Sequence, residues 1–292
     1  MPDNLQAMGQ RVGRVISSRL FVRMLLSGAL AANAVLVGIT VYGFFVSEVG
    51  HDWAIYVEAG HRAGTQSLYR WDQTYAWSYS PIMAYVFGVL TPIGYAGWTI
   101  LHVVALAALR NPWLAFVSLI SWPFWVDIYN GNTMVFVFVA AAMALRGSTT
   151  GTLAYMILSL MMPRPLMLPL LAWIVWRRPE WRARSVVVLL LYGGLLLLSG
   201  QGIAWLHALT SVGDAVAVSA RDIGPSLLLG TWWLVFGGLL AIVLTAYGRV
   251  GLASIAVSPY WLPQYLMMVL LEMLPWSSRM APRVSVARSS PD

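Results

Sequence analysis

The chain has 292 residues, of which 59% are hydrophobic and only 10% charged, with a mean hydropathy of +0.72, whereas soluble domains carry about 25% charged residues. That composition excludes an ordinary water-soluble globule and points to an all-α, polytopic membrane protein. The chain has no cysteine, which excludes disulfides, thiolate catalysis and Cys-ligated metals, and its net charge of +7 is carried by arginine without any lysine. On so apolar a chain this excess marks cytoplasmic loops against anionic lipid, and no nucleic-acid partner is expected.

Residues 1–20 read as a cytoplasmic segment, with Arg11, Arg14 and Arg19 preceding or flanking the first apolar run, Phe21 to Phe45. The run is too long for a cleaved signal, so it is expected to remain as the first transmembrane helix and to carry the chain outside. There it delivers HDWAIYVEAGHRAGTQSLYRWDQTYAWSYSP, residues 51–81, which concentrates Asp52, Glu58, His61, Arg62, Arg70 and Asp72. Trp53, Tyr56, Val57 and Gly60 recur at i, i+3, i+4 and i+7, which predicts an amphipathic helix lying at the membrane interface in the first outer loop. Asp52 stands at its start. A carboxylate there can cap the helix; at the edge of an outward cavity it can also act as a general base toward an acceptor hydroxyl. Glu58, Asp72 and Asp127 are candidates for the same task or plain surface acids. Trp71, Tyr75, Trp77 and Tyr79 suit either an interfacial aromatic belt or sugar stacking.

Pro81 to Arg110 follows as one kinked crossing or two short helices, because Thr91-Pro92-Ile93-Gly94 interrupts it. The basic positions at Arg146 and Arg177 to Arg184 are expected inside. Asp127 to Asn132 and the Pro163-Arg164-Pro165 corner then lie outside, joined by short apolar segments over 133–145, 152–162 and 166–176. Segments this short fit only if their outer ends line a cavity. Asn132, after Gly131, can open a helix or bond a sugar hydroxyl. Arg164 can snorkel to lipid headgroups or offer a planar fork to a phosphate. Ser185 to Ser199 rises, Gly200 to Pro225 forms a second outer segment with Asp214, Arg221 and Asp222, and Ser226 to Tyr247 descends. The chain then rises to SPYWLPQY, residues 258–265, and returns to a basic cytoplasmic tail at 277–292. The whole reads as a single transmembrane domain over 21–276 with about 8–10 crossings. His51, His61, His102 and His207 lack metal-ligand spacing and no Gly-rich phosphate loop is present, so neither metal nor cofactor is expected.

The order of these motifs has a resemblance. Asp52-Trp53-Ala54-Ile55-Tyr56 beyond the first helix, Leu68-Tyr69, Tyr79-Ser80-Pro81, Gly131-Asn132, Pro163-Arg164-Pro165 before an Arg-rich loop, and Ser258-Pro259-Tyr260-Trp261 resemble the bacterial polyprenyl-phosphate-mannose-dependent α-mannosyltransferases of the GT-C superfamily. The similarity runs from Asp52 to about Trp276. It implies a GT-C-like helical bundle that takes a sugar from a polyprenyl-phosphate-linked donor and passes it to a lipid-linked or glycan acceptor on the outer face of the cell membrane. It also implies Asp52 as catalytic base, Arg164 at the donor phosphate where the family has Lys-Pro, and Tyr56, Tyr79, Asn132, Trp261 and Gln264 about the substrate. Gln264 stands near where such enzymes often continue to a His. A lipid or solute transporter, which would place its ionisable groups near the bilayer midplane, and a non-catalytic envelope scaffold are the competing classes.

Overall fold

A computed structural model describes residues 19–70, 77–216 and 224–275. Asp72, Trp71, Tyr75, Asp222 and the basic tail lie outside the described residues, as does the side chain of Asp214. Among the described residues the chain is all-helical, with fourteen α-helices and three 3₁₀ segments. In order these are α1 (Arg19–Val46), α2 (His51–Arg62), α3 (Pro81–Leu90), α4 (Gly94–Ala107), α5 (Pro112–Ile120), α6 (Trp122–Asn130), α7 (Met134–Leu145), α8 (Thr149–Met161), α9 (Leu168–Arg177), α10 (Glu180–Leu198), α11 (Gly202–Val216), α12 (Ser226–Leu229), α13 (Trp232–Ala246) and α14 (Val250–Val257). The 3₁₀ segments are Thr91–Ile93, Pro165–Met167 and Pro263–Met273.

Among the described residues, three helical runs are long and apolar enough to cross a membrane: Val22–Val46, Pro81–Ala107 and Glu180–Leu198. Their side chains say the same. Leu25, Leu26 and Leu30 on α1 and Leu190, Leu191 and Leu197 on α10 are exposed, a surface that water would not tolerate over so large a contiguous patch. Four shorter apolar helices accompany them, at Met134–Leu145, Thr149–Met161, Pro165–Arg177 and Trp232–Ala246. At 1.5 Å per residue, the 12 residues of α7 span about 18 Å, well short of a hydrocarbon core of ~30 Å. Instead α7 is the centre of the bundle. Met134, Val135, Val137, Phe138, Ala141, Ala142 and Leu145 are all buried, as a helix that is apolar on every side requires.

Around α7 pack α8, α4 and the Pro263–Met273 segment, while α1 lies against α6, and α13 against α14. Polar pins fix these contacts. Asn33 on α1 donates to the Ile120 carbonyl at 2.9 Å and accepts from the Trp122 amide at 2.8 Å, holding α1 to the α5–α6 corner. The Thr91–Ile93 turn interrupts the Pro81–Ala107 run where the sequence indicates. One expectation differs. Ser226 to Tyr247 is split by a turn at Gly230 into α12 and α13, since Gly230 caps the first helix in a conformation that cannot continue it. The expected outer segment from Gly200 is helical over most of its described length, as α11.

One end of the bundle is basic. Arg146 at the end of α7 donates to the Leu109 carbonyl just past α4. Arg178 past α9 donates to Thr152 on α8 at 3.3 Å and to the Leu145 carbonyl at 3.5 Å. Helices α4, α7 and α9 therefore bring their C-termini and their cations together, which is where the helix dipole favours positive charge.

Candidate functional site

At the opposite end, Asp52 sits one residue inside α2. The helix is capped by the left-handed Gly50, not by Asp52. The carboxylate instead reaches across to the α6–α7 connection, where Asn132 Nδ2 donates to Asp52 Oδ2 at 2.5 Å. The Asn132 amide can point only that way, because its Oδ1 accepts from the Thr133 backbone N–H at 2.6 Å, so the nitrogen is left to face the carboxylate. Asn132 thus serves Asp52 and is not the cap of α7. That capping falls to Asp127, whose two oxygens accept from the backbone N–H of Met134 at 3.2 Å and of Val135 at 2.9 Å. Asp127 is fully buried, so neither the surface-acid nor the base reading fits it.

Helix α2 presents Trp53, Tyr56 and Ala59 inward. The expected amphipathic helix is present, and its fourth apolar position is a backbone contact: a Cβ on Gly60 would lie 2.6 Å from the amide nitrogen of Gly88 on α3. Gly131, with φ at +71°, closes α6 so tightly against Trp53 that a Cβ there would meet the Trp53 Cβ at 2.7 Å. Glycine is the residue that takes both this left-handed backbone and this approach.

Arg164 enters from the connection after α8. Extended backbone at Arg164, between Pro163 and Pro165, turns its side chain into the bundle, where it is 7% exposed. Its guanidinium stands 5.0 Å from the Tyr79 ring and 5.3 Å from the Tyr265 ring, in reach of cation–π attraction. Its Nη1 nevertheless has no hydrogen-bond partner. The same is true of the Tyr56 hydroxyl, which lies near Thr133 outside hydrogen-bond geometry. Burial, reinforced by the Asp52 charge, pushes the Tyr56 phenol well above its ordinary range, so it is a neutral donor. Arg164 and Asp52 are close enough to act electrostatically on Tyr56 and on each other.

Aromatic rings wall this space. Tyr56 stacks on Phe87 at 4.3 Å and meets Trp77 edge-on at 6.1 Å, and Trp77 meets Tyr79 edge-on at 5.1 Å. Ser80 ties the wall to the Arg164 loop, its N–H donating to the Met161 carbonyl at 2.9 Å. On the other side of Asp52 a cavity of about 900 Å³ opens between α1, α6 and Leu262, Pro263 and Gln264, with Thr40, Ser47, His51, Asp52, Asn130 and Gln264 among its polar lining. Gln264 is buried and faces this cavity, while its neighbour Tyr265 lies beneath Arg164.

The structure therefore gathers Asp52, Tyr56, Tyr79, Asn132 and Arg164 about one space and sets Gln264 on the adjoining cavity. Trp261 is committed elsewhere: its indole N–H donates to the Ile255 carbonyl at 2.8 Å and its ring packs edge-on to Trp233 at 6.2 Å. Sequence reading passed over Tyr265, visible only as an aromatic beside Gln264, and the buried polar stripe of α4 behind Asn132. Among the described residues no group of acidic, His or Cys side chains could hold a metal. Comparison with protein-family models, curated proteins and solved structures gives no match.

Proposed function

We propose that this chain is a multi-pass membrane glycosyltransferase that moves a sugar, mannose by the family resemblance, from a polyprenyl-phosphate-linked donor to a lipid-linked or glycan acceptor at the outer face of the cell membrane. The observation that carries the reading is Arg164: a buried guanidinium with an unpartnered Nη1, beside an unpartnered buried phenol, within electrostatic reach of an oriented carboxylate. A buried guanidinium nitrogen left without a hydrogen bond is costly to folding, and a site that receives an anion explains why it is kept. The planar guanidinium and the Tyr56 hydroxyl supply donors suited to phosphate oxygens.

The chemistry is an inverting single displacement. The acceptor oxygen attacks the anomeric carbon as its proton passes to Asp52, and the bond from that carbon to the phosphate oxygen breaks with its electron pair going to phosphate. Asn132 holds the Asp52 carboxylate in place, and positive charge at Arg164 stabilises the leaving phosphate as its charge grows. In this reading the four shorter apolar helices and one to three further short segments join the three long runs to give about 8–10 crossings, with α2 at the outer interface and the arginine-rich end in the cytoplasm.

The test is transfer from radiolabelled polyprenyl-phosphate mannose to a membrane acceptor extract by the purified chain in lipid. Wild type transfers the label and Asp52→Asn, equally expressed, does not. Undiminished transfer by Asp52→Asn would remove the base from Asp52; translocation of labelled lipid without transfer would make the chain a transporter.

A further inference from the structure

Helix α4 carries a polar stripe on an otherwise apolar face. Tyr95, Trp98 and His102 fall at i, i+3 and i+7, which places them on one side of the helix, and all three reach the α6–α7 connection. The Tyr95 hydroxyl donates to the Ile128 carbonyl at 2.7 Å and the Trp98 indole N–H to the Gly131 carbonyl at 2.9 Å. His102, fully buried, has Nδ1 2.8 Å from the Trp98 oxygen and Nε2 2.8 Å from the Asn132 oxygen; with the proton on Nε2 it donates to the Asn132 carbonyl, and only the imidazolium donates to both. The same Nε2 lies 3.5 Å from Asp127 Oδ2. The backbone of Asn132 is thus held at its carbonyl by His102 and at its N–H by the Asp127 carbonyl, 2.8 Å away, while its side chain holds Asp52.

We infer that His102 is a positioning residue: it fixes the Asn132 main chain so that the Asn132 amide presents the Asp52 carboxylate, with Asp127 steadying both the imidazole and the start of α7. The inference rests on Asp52 being the base of the proposed reaction, but the chain of contacts exists whatever Asp52 does. The imidazole is an odd choice for a purely apolar packing role here. Trp98 and Phe136 contact its ring at 5.2 Å and 4.9 Å, and a phenyl ring would fill that space without two polar atoms to satisfy.

The test reads Asp52 directly. A hydrophobic carbodiimide modifies protonated carboxyls, so peptide mass spectrometry of the labelled full chain across a pH series gives an Asp52 labelling midpoint without any substrate. Arg164 and Tyr56 face Asp52 and His51 shares its cavity; these are unaltered in every variant. Loss of the Asn132 donor disfavours the charged carboxylate, so Asn132→Ala moves the midpoint to higher pH. His102→Phe moves it the same way, His102→Gln, which restores a donor toward the Asn132 carbonyl, moves it back, and the double variant His102→Phe/Asn132→Ala adds nothing to Asn132→Ala alone. In the transfer assay His102→Phe lowers kcat about 10- to 100-fold with KM little changed, the signature of a displaced catalytic group. A wild-type labelling profile in a folded His102→Phe, or an additive double variant, overturns the inference. The expected labelling shifts with no transfer by wild type would instead overturn the enzymatic reading and leave the positioning intact.

Discussion

At the basic end of the bundle, Arg146, Arg178 and Arg182 aim their donors at backbone carbonyls near helix ends: Leu109, Leu145, and the pair Val175 and Trp176. At the other end Arg164 sits deeper than any of these, between two tyrosine rings, with one donor nitrogen unpartnered. The first group completes a scaffold, since each cation answers carbonyls that a helix C-terminus leaves over. Arg164 lies against two rings and within reach of the Asp52 charge, yet leaves its Nη1 without a hydrogen bond. Two arginines in one protein can thus be told apart by whether their hydrogen-bonding capacity is closed internally.

Three substitutions bear on that contrast. The largest effect belongs to Arg164→Met: transfer falls about 100-fold or more, as removal of a principal electrostatic donor does elsewhere. Its melting temperature stays level or rises, because an apolar side chain of similar size no longer leaves a buried donor nitrogen unsatisfied. Turnover and thermal unfolding of the same preparation measure both, and a clear drop in melting temperature would place Arg164 with the scaffold arginines. Next is Tyr56→Phe, which weakens donor binding about tenfold through loss of one hydrogen bond. Because burial and the nearby Asp52 charge raise the phenol above its ordinary value of 10.0, the hydroxyl stays protonated across the working range. The pH profile of Tyr56→Phe therefore keeps the shape of the wild type below about pH 10; disappearance of an alkaline limb in this variant would contradict the neutral-donor role. The smallest effect is that of Arg178→Ala. Losing its bonds to Thr152 and Leu145 costs about 1 kcal/mol and roughly 2–4 °C in melting temperature, with transfer per folded molecule unchanged.

Much of this arrangement is legible from residue order. The apolar segments ending at Leu145, Met162 and Trp176 match α7, α8 and the run to Arg177 closely, because hydropathy and flanking charge act locally. The inward face of α2 follows from helical periodicity alone, and Trp53 and Tyr56 are where that periodicity sets them. What escaped depends on partners distant in the chain. Nothing near Asn132 announces that its amide turns to Asp52, 80 residues away, nor that the cap of α7 comes from Asp127 on the preceding helix. His102 has no metal-ligand spacing to mark it. The signal that would have found it is the sequence Tyr95, Trp98, His102, a polar stripe at helical spacing inside an apolar run. The split at Gly230 was hidden for the opposite reason, since its neighbours are apolar enough to read as one continuous crossing.

The contact between Gly60 and Gly88 gives α2 one of its supports. The two backbones touch without any side chain between them, and Asp52 lies eight residues up the helix, roughly 12 Å from that point at the usual rise. With Trp53 wedged against Gly131 near the far end, α2 behaves as a rigid beam supported at two places. Thickening the support at Gly60 by a single methyl group would push that end of the beam off α3 and tilt α2 about its other support at Trp53, re-aiming Asp52 without altering any residue near it. The aim of the carboxylate is thus set in part by a contact that has no side chain.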